Sequence, residues 1–221
     1  MGTDFGNYSA KGMSNFTAKR ASITLAMERQ QTGLWCWAAV AQAILRFRNK
    51  KPGSQSKVAT DHRKQGIFCD VNMVADPNNL TCGANGCQGP CNAPHSLTFV
   101  MQSLGVPICS ENYEMFADND SVFDWIYNQI AEKGRPVPCL MRQTQSSSAA
   151  GHFIVINMVQ VMDDGQQHVG IVDPLGSGFS VETVPAVTTV QNFADFASGG
   201  FWSGGMAWRL AKLYELDRPC Q

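Results

Sequence analysis

Near residue 134 the chain changes periodicity, and that change limits the folds open to it. Before this point apolar residues recur at helical spacing. From Trp35 to about Arg48 they fall at 36, 37, 40, 41, 44, 45 and 47, and Pro52-Gly53 ends the run. Further helices are predicted over 56–65, over 93–105 with Gly105 closing it, and over 119–134. The last is started by Asp120 or Ser121 and stopped by Gly134. Beyond residue 134, "RPVPCLMR" (135–142), "HFIVINMVQVM" (152–162), "QQHVGIVDP" (166–174), "GFSVETV" (178–184) and "MAWRLAKLYEL" (206–216) read as strands. They are short, rich in Val and Ile, and separated by turn formers. Helices first and strands second predict an α+β architecture, with a mainly helical lobe over 22–134, an antiparallel β lobe over 135–216 and a cleft between them. Residues 1–21 read as a flexible polar arm and 22–221 as one domain, entered by a short strand over "SITLAM" (22–27).

The chain's 221 residues can bury a full core, so its eight cysteines are not needed as staples for a miniature scaffold. That many cysteines is high for a reducing cytosol and leans towards an oxidising or extracellular place of work. If one of them is a free nucleophile, seven remain, and at least one more has no partner within the monomer. A net charge of −1 gives no field for nucleic acid or an anionic membrane. No apolar run approaches the roughly 18 residues of a membrane span.

The segment "QQTGLWCWAAVAQAIL" (30–45) sets Cys36 between two tryptophans at the start of the predicted 35–48 helix. A nucleophilic cysteine needs a thiolate, a base beside it and donors for the oxyanion that develops on the substrate. A helix amino terminus favours the first through its unpaired N–H groups and dipole. Of the four histidines, His152 is the best base, because it follows the small "QSSSAAG" loop and heads a very apolar strand. His62, His95 and His168 read as structural or solvated. Asp173 ends a buried strand just before Pro174, where a hairpin can bring it to His152 as the orienting acceptor. It can equally be a plain Asp-Pro turn residue. Gln30, six residues before Cys36, can donate to the oxyanion together with the Cys36 N–H, or merely bond a loop. Gln31 adjoins it, and only the spacing prefers Gln30. The run "GGFWSGGMAW" (199–208) is open between a loop over the core and a wall of the cleft near His152.

Gln-x5-Cys-Trp at a helix start, a later Gly-His opening a strand and Asp-Pro after the next strand together resemble a papain-like cysteine peptidase. "WCWAA", "CNAP" (91–94), "GHFIVI" and "VDP" resemble more closely a bacterial branch of that clan, which includes secreted proteases, delivered effectors and bacteriocin-processing peptidases. Plant-type papains instead read Cys-Gly-Ser-Cys-Trp and use Asn where this chain has Asp173. The resemblance implies a papain-like fold and peptide-bond hydrolysis through an acyl-enzyme. Cys36 matches the nucleophile, His152 the base, Asp173 the orienting residue and Gln30 the oxyanion donor. It implies no cofactor, no metal and a protein or peptide substrate.

Other readings remain open beside this one. The same residues serve a transglutaminase, deamidase or isopeptidase. A non-catalytic cysteine-rich binding module is the alternative from another class. Cys82-x4-Cys87-x3-Cys91, with Cys69 or His95, lacks the second knuckle of a structural zinc site, so disulfides are expected there before zinc. Cys109, Cys139 and Cys220 read as core or bridge residues. The first twenty residues carry no basic-then-apolar leader. With the cysteine content, this favours a protein secreted or delivered into another cell by a dedicated machine, as an effector or toxin. A neutralising immunity or inhibitor protein that occludes the cleft is then the expected partner.

Overall fold

The computed structural model describes residues 19–63, 82–83, 86–87, 94–145, 151–176 and 185–220. In chain order its strands are β1 (Lys19–Ser22), β2 (Cys82–Gly83), β3 (Gly86–Cys87), β4 (Ile108–Asn112), β5 (Val137–Gln143), β6 (Gly151–Val161), β7 (Gln167–Val172), β8 (Thr188–Asn192), β9 (Phe201–Ser203) and β10 (Met206–Leu216). The main helices are α1 (Cys36–Phe47), α2 (Gln55–Arg63), α3 (Leu97–Ser103) and α4 (Asn119–Tyr127). One antiparallel sheet runs β4-β10-β5-β6-β7-β8, with β1 beside β6 and β9 beside β10. The ribbon β2–β3 stands apart from it. Helices combined with an antiparallel sheet make this the α+β, papain-like architecture the sequence predicts.

The central strands are apolar on both faces, which is why they read as continuous hydrophobic runs rather than alternating ones. Alternate residues divide between two cores. Leu140, Phe153, Val155 and Val172 pack with Ile44 of α1, Val58 of α2 and Val100 of α3. Cys139, Met141, Ile154, Ile156 and Ile171 pack on the opposite face with Phe123 and Ile126 of α4 and with Phe193 and Phe196. The sheet is therefore the middle layer of the molecule.

In α1 every residue from Cys36 to Leu45 is buried. A helix apolar on all sides belongs inside a core, and alanines at 38, 39, 41 and 43 allow its neighbours to come close. Its one buried polar side chain, Gln42, donates to the Gly53 carbonyl at 2.6 Å. The basic end is clasped by Arg46–Glu28 at 2.5 Å. Among the described residues no helix is long and apolar enough to cross a membrane.

Several boundaries differ from those expected. The first strand is Lys19–Ser22 rather than 22–27, because β6 bulges between Ile156 and Met158 and Asn157 takes the Ile23 carbonyl with its side-chain amide at 3.2 Å. The helix expected over 93–105 begins only at Leu97, with Gly105 at φ 71° behind it. The cap of α4 is Asp118, which accepts from the Ser121 N–H, rather than Asp120 or Ser121. The helix then widens through Asn128–Glu132 and stops at Gly134, φ 61°. The second helix occupies Gln55–Arg63, and the strand expected over 178–184 lies outside the described residues. β4, β8 and β9 were not anticipated. Of the cysteines, Cys109 and Cys220 form a disulfide that ties β4 to the end of the chain. Cys139 is a free, buried thiol.

Candidate active site

The amino end of α1 delivers Cys36 as its first residue, 8% exposed and free of any disulfide. Trp35 precedes it with non-helical dihedrals, and no side-chain oxygen caps the helix. The positive end of the peptide dipoles is thus left to the sulfur and to whatever approaches it. Trp35 and Trp37 are both fully buried in the core around α1, where they fix the angle at which the helix presents Cys36.

His152 lies near the start of β6, opposite Met141 of β5. At Gly151 before it a Cβ would stand 2.6 Å from Leu140 Cδ1, so any larger residue there requires the Leu140 side chain to shift. β6 and β7 are neighbours, and Val155 faces Val172. One further step along the pair brings Asp173 beside Ile154, diagonal to His152 and on the same face. The result is a 2.6 Å hydrogen bond between His152 Nε2 and Asp173 Oδ1. The Cys36 sulfur is also close enough to the imidazole to raise its pKa, and Nδ1 is the ring nitrogen that the bond to Asp173 leaves for it. Burial alone would push the His152 pKa down; the bond to Asp173 and the negative partners outweigh it and hold the ring up at about 9. Burial would raise Asp173, but His152, Ser203 and the Leu175 N–H together keep the carboxyl below its ordinary value. Cys36, His152 and Asp173 are therefore one connected cluster.

Two residues of this cluster were not singled out from sequence. The run 199–208 is neither a simple loop nor a bare wall: it is the β9–β10 hairpin, turning through Gly204 (φ 57°) and Gly205 (φ 75°). Two successive positive φ angles make the tight mirror-image turn that suits twisted strands. Phe201 and Ser203 point inward and Trp202 outward, 66% exposed. The Ser203 hydroxyl donates to Asp173 Oδ2. Trp208 Nε1 donates to the Ser203 carbonyl at 3.0 Å, and its ring lies 5.4 Å from that of His152. The available signal was the glycine pair between alternating apolar residues, which marks a hairpin.

Gln30 is 1% exposed, and its amide nitrogen donates to the carbonyls of Thr32 at 2.9 Å and Gly33 at 3.1 Å. Its Oε1 has no hydrogen-bond partner among the described residues. Its backbone N–H donates to the Pro174 carbonyl at 2.8 Å, tying the segment to the Asp173 turn. From the other side Gln55, wholly buried at the start of α2, accepts from the Gln31 N–H at 3.0 Å and donates to the Arg29 carbonyl at 2.7 Å. The segment carrying Gln30 is thus clamped on both flanks.

The remaining candidates stand apart from this cluster. His62 and His95 pack edge-on to Trp37, at ring separations of 5.8 and 4.7 Å, and His62 Nδ1 meets Ser103 Oγ at 2.9 Å. His168 sits in β7 opposite Asn192. Asp163 and Asp164 occupy the β6–β7 turn. Among the described residues no group of His, Cys, Asp and Glu is arranged to hold a metal ion. Cys69 and Cys91 lie outside the described residues, and Cys82 faces Cys87 across the β2–β3 backbone pair.

Two comparisons bear on what the cluster does. The family model described as papain-like cysteine protease AvrRpt2 matches residues 17–189, a span holding Gln30, Cys36, His152 and Asp173. No curated protein matches the chain.

Proposed function

The chain belongs to the family of the papain-like cysteine protease AvrRpt2, a bacterial cysteine peptidase family, and from that premise we propose that it cleaves peptide bonds with Cys36, His152 and Asp173 acting together. The observation that carries this reading is the imidazole of His152 held between the Cys36 sulfur and Asp173, with Nε2 hydrogen-bonded to Asp173 Oδ1 at 2.6 Å. In the resting enzyme the proton sits on His152 and the charge on Cys36 Sγ. The thiolate attacks the carbonyl carbon, and the electron pair of the C=O moves to oxygen. The Cys36 N–H, with Gln30 once its amide turns from the Thr32 and Gly33 carbonyls, donates to that oxyanion. The tetrahedral species collapses as the C–N bond breaks, and His152 gives its proton to the departing amine. Water, deprotonated by the now neutral His152, attacks the thioester. The acid leaves, and thiolate and imidazolium are restored. Asp173 holds the ring in the tautomer that performs both transfers.

The catalytic steps draw on side chains of this protein, the Cys36 N–H and water. A place of work outside the reducing cytosol, reached by secretion or delivery as an effector, is the companion proposal, supported by the Cys109–Cys220 disulfide. The test is hydrolysis of a quenched-fluorescent peptide chosen by library cleavage, run beside an amine-incorporation assay. Cys36→Ala should abolish hydrolysis while leaving the thermal transition in place. A Cys36→Ala protein as active as wild type ends the reading.

A further inference from the structure

We propose that Ser203 is a positioning residue of the catalytic site, acting through Asp173, and that the β9–β10 hairpin exists in its present form to hold it. The inference rests on the functional reading above and extends it from the three reacting residues to the element behind them.

Asp173 has two carboxylate oxygens, and the plane through them decides whether one of them faces the imidazole. Oδ1 accepts from His152 Nε2 at 2.6 Å and from the Leu175 N–H at 2.9 Å. Both bonds are on the same oxygen; they resist turning about Cβ–Cγ but leave Oδ2 without a donor. The Ser203 hydroxyl on Oδ2 adds a restraint on the second oxygen. Three points of contact then define the plane. Ser203 is 4% exposed, so water does not readily replace its hydroxyl.

The hairpin is built to keep that hydroxyl in place. Ser203 pairs with Met206 across the turn. Trp208 Nε1 anchors the Ser203 carbonyl at 3.0 Å while its ring packs 5.4 Å from His152, so one side chain braces both ends of the Asp173–His152 bond. At Gly204 a Cβ would stand 2.5 Å from Leu175 Cδ2. Leu175 is the residue whose N–H holds Oδ1, and its side chain lies against the turn. The hairpin therefore meets the Asp173 loop at two places, hydroxyl on carboxylate and glycine on leucine, and His152 of β6 at a third, indole on imidazole. A run serving only as a cover for the core needs none of these contacts.

The role predicts a kinetic signature distinct from simple loss of packing. Without the hydroxyl the carboxylate turns away part of the time. His152 then loses its acceptor, and the imidazolium is supported less. Ser203→Ala should lower kcat by about 10- to 100-fold, by analogy with the hydrogen-bond partners that orient the ligands of metal sites. KM should stay within about twofold, and the alkaline limb of kcat/KM should move to lower pH. Ser203→Thr keeps the donor and should restore both. Ser203→Cys fills the same space with a weak donor, and should show the shifted limb even if the alanine variant folds poorly. The pH dependence of Cys36 alkylation by iodoacetamide, read by peptide mass mapping, follows the same ion pair without a substrate. In an Asp173→Ala background Ser203→Ala should cost less than about twofold, because the group it acts through is gone. Asp173→Ala indistinguishable from wild type refutes the functional reading itself. Asp173→Ala impaired while Ser203→Ala and Ser203→Cys both keep wild-type kcat and alkaline limb overturns the present proposal alone. So does a full penalty for Ser203→Ala in the Asp173→Ala background.

Discussion

Replacing Asp173 by Asn removes one charge and leaves the shape of the site. The amide oxygen can still accept from His152 Nε2 and the Leu175 N–H, and its nitrogen can donate to Ser203 Oγ, which now donates to Oδ2. Only the electrostatics change. Wild-type His152 titrates at about 9, because its hydrogen bonds and negative partners overcome a burial that would otherwise lower it. With the strongest of those favourable contacts neutralised, the ring falls towards the ordinary imidazole value of about 6.5. At pH 8 a group near 9 is roughly 90% protonated and one near 6.5 roughly 3%, whereas at pH 5.5 both are above about 90%. The wild-type to Asp173→Asn ratio of kcat/KM should therefore grow by about 30-fold between pH 5.5 and pH 8, on top of a pH-independent loss from poorer orientation of the ring. Folding follows the same sign. The raised His152 pKa contributes stability that is fully present below about pH 6.5 and is lost as pH climbs through about 9, so the variant's stability deficit should shrink over that window. The assay is kcat/KM on a quenched-fluorescent peptide at half-unit pH steps, with thermal melts in the same buffers. A ratio that stays flat across the range would refute the claim that Asp173 sets the protonation of His152.

Gln30→Ala should reduce kcat by about 100-fold at nearly constant KM, the usual loss for one oxyanion donor, and a parallel rise in KM would instead mark Gln30 as a plain substrate contact. Breaking the Cys109–Cys220 bridge frees a loop with a sequence separation of 111 and should cost about 4 kcal/mol. At this chain length that is about 10 °C in Tm by calorimetry, and an unchanged Tm in the Cys109→Ser protein contradicts it. Gly170→Ala puts a Cβ 2.7 Å from Met158 Cβ, so it should destabilise by about 1–3 kcal/mol in urea with the m-value unchanged, while activity per folded molecule is retained.

What the sequence disclosed and what it concealed divide along a physical line. Helix α1 was legible because its apolar residues repeat through three turns and end at Pro52-Gly53. Strands β5, β6 and β7 were legible because a strand buried on both faces has few polar interruptions. Their order also foretold that His152 and the residue after β7 would meet, since adjacent antiparallel strands joined by a short turn leave few other registers. The strands that escaped, β4, β8 and β9, are short or half exposed, with burial patterns in which apolar and polar residues do not alternate cleanly. Their place in the sheet comes from partners far along the chain, as with Leu213 beside Glu111. Asp118 capping α4 was missed by two residues because three candidates within four positions, Asp118, Asp120 and Ser121, differ only in which oxygen finds an N–H.

The supporting residues were hidden for a related reason. Ser203 and Gln55 are ordinary polar residues whose importance lies in bonds to groups 24 to 30 positions away. Spacing along a chain encodes local geometry, and these bonds are not local. A nucleophile at a helix start can be seen from its own neighbours, because the helix dipole that serves it belongs to the same segment. An orienting carboxylate cannot, since the donor that fixes its plane arrives from another strand. That difference makes Asp173, a turn residue before Pro174 by composition and the partner of His152 by geometry, the position where charge removal separates the two descriptions. A turn residue loses little when Asp becomes Asn, because both form such turns readily. An orienting anion loses the pH range in which the enzyme works.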